Sequence, residues 1–181
     1  MAYKKSFSLV EKLLEEIRKI DDKHLLVEIL LLESRIWMAL ENNSKAKSSL
    51  TAAKSSANSI YVPPLLQAQI DFQSALIQSE DNDFKTAFSY FYEAFEAYHQ
   101  SKHRRAGKSF KYMLIAKIMN NEPDDVYGFL NGKHSLHYNG SEFEAVRAIA
   151  DASKTKSLLE LKKAKQQFKQ GIHRSSIILT I

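Results

Sequence analysis

No cysteine occurs in these 181 residues, so neither a disulfide framework nor a thiolate zinc site can be built. Glycine (5) and proline (3) are scarce, which disfavours turn-rich sheet folds and disordered tails alike. No apolar run reaches the roughly 20 residues needed to cross a bilayer. The N-terminus, MAYKKSFSLVEKLLEEIRK, alternates charge with apolar side chains, unlike a secretory leader. These absences predict a soluble, intracellular chain. The Asn-x-Ser matches at Asn42 and Asn139 are then chance. No segment sustains a period of two, so strands are not expected. Walker loop, dinucleotide fingerprint and nucleophile elbow are all missing.

What is present is helix-forming. The chain is 44% hydrophobic and rich in Ala, Leu, Lys, Glu and Ser. Residues 5–20 place Phe7, Val10, Leu13, Leu14 and Ile17 on one face. Asp21 and Asp22 offer an N-cap to KHLLVEILLLESRIWMALE, a helix apolar nearly all round and so expected to be buried between others. Asn42, Asn43 and Ser44 cap the next helix, 45–59. Pro63-Pro64 opens another over 65–79, since proline suits a first helical turn. A turn at Glu80-Asp81-Asn82-Asp83 leads into DFKTAFSYFYEAFEAY. Further helices are predicted at 103–120, 124–131 and 132–138. Two S-x-x-E capping boxes, Ser141 to Glu144 and Ser157 to Glu160, mark the last two, and Gly171 offers a stop.

The stretch 83–98 carries the strongest pattern. Phe84, Phe88, Phe91, Phe95 and Tyr98 form one helical stripe, flanked by Ala87, Ala94 and Ala97. Rings beside small residues suit a helix with two neighbours. The triplet Ala, large apolar, Ala at i, i+4, i+7 occurs at Ala46-Leu50-Ala53, Ala87-Phe91-Ala94 and Ala145-Ile149-Ala152. The first two are 41 residues apart and the last two 58, leaving room for an extra helix or two. Such triplets mark the second helix of a tetratricopeptide repeat. The match is degenerate, because Asp71, Ala75 and Gln78 stand where the first-helix signature would be. The predicted fold is all-α: a solenoid of stacked antiparallel hairpins wound into a right-handed superhelix. Residues 1–175 are expected to form one segment and 176–181 an apolar end. The packing residues singled out are Leu50, Phe84, Ala87, Phe88, Phe91, Ala94, Phe95 and Ile149.

The net charge of +5 is unevenly spread. Residues 101–117 carry Lys102, Arg104, Arg105, Lys108, Lys111 and Lys117 with no acid, and 154–174 hold seven basic residues against Glu160. Solvated helix faces are the plainer reading. The sharper one is a basic patch of Arg104, Arg105, Lys108 and Lys111 that meets an acidic protein or nucleic acid. Nucleic acid is disfavoured, since the aromatics sit on core stripes and not among the cations; Tyr112 is the one exception. His99 and His103 have the i, i+4 spacing of a metal pair, with Glu96 nearby, and His134 with His137 form a second pair. Neither brings a full ligand set, so no metal is expected. Asp124-Asp125 suits a helix N-terminus better than paired catalytic carboxylates. In the tetratricopeptide register a lysine–asparagine carboxylate clamp would fall on Leu31, Arg35, Phe72 and Leu76, so it is missing. No cofactor, small-molecule ligand, membrane or catalytic activity is expected.

Longer segments carry a resemblance. KIDDKHLLVEILLLESRIWMALENNSKAKSSLTAAKSSANSIYVPPLLQAQIDFQSA, DNDFKTAFSYFYEAFEAY, FKYMLIAKIMNNEPDDV and ASKTKSLLELKKA closely resemble the proteasome lid subunit family called non-ATPase regulatory subunit 11, over roughly residues 12–170. SANSIYVPP and TAFSYFYEAFE are the most specific. A COP9 signalosome subunit is a more distant match. The resemblance implies an α-solenoid leading into a PCI module, and a non-catalytic scaffold of the 26S regulatory particle, in cytoplasm and nucleus. Its partners would be other lid and base subunits, in ATP-dependent degradation of ubiquitinated proteins. It also implies that the family's N-terminal repeats and its winged helix lie outside Met1–Ile181. On that reading Ile177, Ile178, Leu179 and Ile181 would dangle, fold back or seek a partner.

Overall fold

The computed structural model describes residues 22–132, 137, 138 and 140–167, together with positions 10, 13, 16, 17 and 20. Among the described residues the fold is all-helical, with no strand, and the helices pack in adjacent pairs as an α-solenoid. The helices are α1 (Lys23–Ala39), α2 (Asn43–Ala57), α3 (Pro64–Glu80), α4 (Phe84–Gln100), α5 (Ala106–Met119), α6 (Pro123–Leu130), α7 (Ser141–Lys154) and α8 (Leu158–Gln167). Ahead of α1 the backbone is helical at Val10, Leu13, Glu16, Ile17 and Ile20, and Val10 and Ile17 are buried. The rest of the helix expected at 5–20 lies outside the described residues. So do most of the short helix expected at 132–138, the stop at Gly171 and the apolar end 176–181.

The helix starts follow the caps in the sequence. Asp22 accepts from the Leu25 amide, Asn42 from Lys45 and Asp83 from Thr86, each at 3.1 Å. Each satisfies an amide that the first turn leaves without a partner. Pro64 and Pro123 occupy first turns, where a missing N–H costs nothing. The two capping boxes do not close. Gly140, not Ser141, precedes α7, and no side chain caps that end. Ser157 Oγ does accept from the Glu160 amide at 3.3 Å, but the Glu160 carboxylate accepts from Thr155 Oγ1 at 2.7 Å instead of reaching back.

Five of the described helix ends, those of α1, α3, α4, α5 and α7, share one device. Glu41, Asn82, Lys102, Asn121 and Lys156 all have left-handed φ, between 49° and 61°. At each, the next amide bonds a carbonyl five residues back, as in Asn42 to Trp37 at 2.9 Å and His103 to Tyr98 at 2.8 Å. The left-handed amide itself bonds three back, as in Glu41 to Met38 at 3.0 Å. These are Schellman turns, which satisfy the last carbonyls and reverse the chain. At Asn42 and Asp83 the residue that closes one helix also caps the next. This fusion sets the tight hairpin spacing.

The core has two parts that meet on α3. Leu66, Ile70 and Ile77 join Val27, Leu31, Leu50 and the rest of α1 and α2. Ala68 and Ala75 turn to the larger part, built from α4 to α8. A polar seam pins the first part: Ser34 Oγ donates to the Ala46 carbonyl at 2.9 Å, and Gln73 Nε2 donates to Ser34 Oγ at 3.3 Å. Helix α1 is not buried all round, as its sequence suggests: Leu25 and Leu32 are 40% and 43% exposed. It packs on α2 and α3, which cover only part of its circumference.

Candidate functional site

Helix α4 lies against both α3 and α5. Its alanines Ala87 and Ala94 are fully buried, as is Phe91 between them. Phe91 meets Phe72 of α3 at 5.4 Å and Tyr112 of α5 at 5.5 Å between ring centres. Phe95 is buried 4.9 Å from Phe110. Phe88 is half-buried, stacked on Tyr92 and 5.9 Å from Phe129 of α6. Phe84 is half-buried at the start of the helix and belongs to neither core part. Leu50 and Ile149 are buried at equivalent places on α2 and α7. All nine members of the three Ala-large-Ala triplets are buried. The wider gap before the third triplet accommodates α6.

The basic residues of 101–117 do not form one face. Arg104 and Lys108 are exposed and Arg105 is half-buried. Lys111 is buried and pairs with Glu142 of α7 at 2.9 Å, so it cannot belong to a surface patch. The reason is helical geometry. Lys111 faces α7, and burying an ammonium requires a carboxylate partner. Lys117 pairs with Glu122 and with Asp125 at 2.9 Å, and stands 4.6 Å above the Phe88 ring. Burial opposes its charge, but the two acids outweigh that and raise its pKa. Lys154 pairs with Asp124 at 2.7 Å. Beside it Tyr127 donates to Asp151, which pushes the phenol up to about 12. These contacts clasp α6 to α7. The basic positions beyond 167 lie outside the described residues.

Arg35 of α1 takes the place that Lys111 vacates. It shares a cleft with Arg105 and Lys108, seventy residues on. Charge counting along the chain could not find it, because the stack, not the sequence, turns α1 and the start of α5 to the same cleft, with α3 between them. The histidines have other partners. His99 Nδ1 is 2.7 Å from the Tyr138 hydroxyl, and its ring stacks on Phe95. His103 stacks on Tyr98 and accepts from the Arg105 amide at 3.2 Å. No group of three or more His, Asp or Glu among the described residues is placed to hold a metal. Asp124 and Asp125 sit in the first turn of α6, where the helix dipole favours acids.

Stacked helical hairpins, with aromatic packing between successive layers and an open charged groove, define an α-solenoid segment. No protein-family model matches the chain. It is 45% identical over 178 residues to a Schizosaccharomyces pombe protein named probable 26S proteasome regulatory subunit rpn6, covering 98% of this chain and 42% of that protein. It is 45% identical over 177 residues to 26S proteasome non-ATPase regulatory subunit 11 of Dictyostelium discoideum, covering 97% and 43%. To the Saccharomyces cerevisiae regulatory subunit RPN6 it is 43% identical over 175 residues, covering 94% and 40%. The chain is therefore homologous to a segment of the 26S proteasome regulatory subunits of this family. It spans about two fifths of the length of these curated relatives. No helix among the described residues is long and apolar enough to cross a membrane.

Proposed function

We propose that this chain is a non-catalytic scaffold segment of the 26S proteasome regulatory-particle lid, holding lid and base subunits at fixed spacing in cytoplasm and nucleus. The observation that carries the reading is 43–45% identity, sustained across nearly the whole chain, to relatives named as regulatory subunits. The architecture suits it. A solenoid presents extended surfaces, and each hairpin is braced by its neighbours. Residues 1–175 act in this reading as one segment, with α3 and α4 as its continuous middle. The assembly would serve ATP-dependent degradation of ubiquitinated proteins, the chain supplying position and no chemistry.

The test is capture of the tagged chain from cells, followed by identification of its stoichiometric companions. Lid and base subunits are expected. Capture of a well-folded chain with no proteasome subunit would end the reading.

A further inference from the structure

Helices α1 and α3 and the first turn of α5 line a cleft of about 820 Å³. These are alternate helices of the stack, so the cleft runs across successive hairpins. Three cations converge there: Arg35, Arg105 and Lys108. Among the described residues none of them makes an ion pair. Arg35 Nη2 donates to the Gln69 amide oxygen at 3.1 Å. Lys108 lies 5.5 Å from the ring centres of Phe72 and Tyr112. Arg35 is half-buried, and burial followed by the charge of Arg105 lowers its pKa; Lys108 keeps an exposed surface, and partial desolvation followed by Lys111, Arg105 and Arg35 lowers its pKa too. Elsewhere the partly buried cations Lys111 and Lys117 each found a carboxylate. Three congregated cations without one are a cost to the free chain that an arriving anion relieves.

The remaining lining says which anion. Met38 and Phe72 are half-buried and give the cleft an apolar component. Glu41 and Glu80 line it too and are exposed. A nucleic acid carries a phosphate at every step and would have to pass those carboxylates. A polypeptide can place acids against the cations and apolar side chains against Met38 and Phe72. We propose that the cleft is a docking site for an acidic protein segment in which glutamate or aspartate alternates with apolar residues. This does not rest on the proteasome reading, and a negative result here leaves the capture experiment untouched.

Fluorescence anisotropy on the full chain at low salt tests it. The probe is a labelled peptide of glutamates interspersed with leucine and serine. A glutamine-for-glutamate peptide and a single-stranded oligonucleotide serve as comparisons. Saturable, salt-sensitive binding of the acidic peptide alone is expected. The double variant Arg105→Glu/Lys108→Glu should weaken it by about tenfold or more. Arg35→Gln, which keeps hydrogen-bonding capacity, should weaken it less. Lys162→Glu/Lys163→Glu on exposed α8 should leave it unchanged, and circular dichroism identifies any variant that fails to fold. Absent binding, equal binding by the α8 and cleft variants, or preference for the oligonucleotide would each overturn the proposal.

Discussion

Phe72 of α3 and Tyr112 of α5 meet edge to face, 5.6 Å apart at 71°, although α4 lies between them in the chain. Phe91 of α4 completes a triangle of rings. One side chain thus ties three successive helices, and its edge-on contact with Phe72 adds to simple burial in energy. Phe91→Ala is expected to cost about 3–5 kcal/mol. Thermal unfolding checks it, and an unchanged Tm would remove the triangle from the core.

The left-handed turns give a prediction of opposite sign. Lys102 holds φ 49° and is exposed. A side chain in that region costs about 1–2 kcal/mol, partly offset by the chain entropy that glycine would lose. Lys102→Gly should raise Tm by about 2–4 °C. A lowered Tm would contradict the turn geometry.

Lys111 and Glu142 separate two kinds of loss. Glu142 is half exposed, so water softens the pair. Glu142→Gln leaves the buried ammonium unpaired and should destabilise by about 1–2 kcal/mol. Lys111→Met removes the need for a partner and should be near neutral. Denaturant unfolding of both variants measures the difference. A larger loss in Lys111→Met than in Glu142→Gln would reverse the assignment.

Asp71 makes stability depend on pH. Burial raises its carboxyl to about 6, and Gln67 donating at 2.9 Å offsets only part of this. The folded state therefore holds the proton more tightly than the unfolded one. The stabilisation is complete below about pH 4 and is lost as pH rises through about 6. Asp71→Asn should be more stable than the parent at pH 7 by about 1–2 kcal/mol, allowing for residual hydration. The gap should close in acid. A pH-independent difference would show that the carboxyl does not titrate in this window.

Much of the fold was legible because its signals are local. Asp22, Asn42 and Asp83 cap where sequence places them, and the Ala-Phe-Ala spacing names the inner face of α4. Ser141 misled because Gly140 before it takes the cap position. The turn residues Glu41, Lys102 and Lys156 were not legible, since nothing in their side chains favours left-handed backbone; Asn82 and Asn121 do carry that tendency. Charge was read least well. Lys111 looked like surface because its acid, Glu142, is 31 residues away. Arg35 looked unrelated because α3 had not yet been set between it and Lys108.

Hydrogen exchange followed residue by residue in the full chain, with and without Phe91→Ala, bears most directly on a stack braced through α4. The amides of α4 are predicted to exchange slowest, and the substitution to accelerate α3 and α5 together with α4. If α4 exchanged as fast as the more exposed α8, or the effect stopped at its own ends, the helices would not be acting as one braced body.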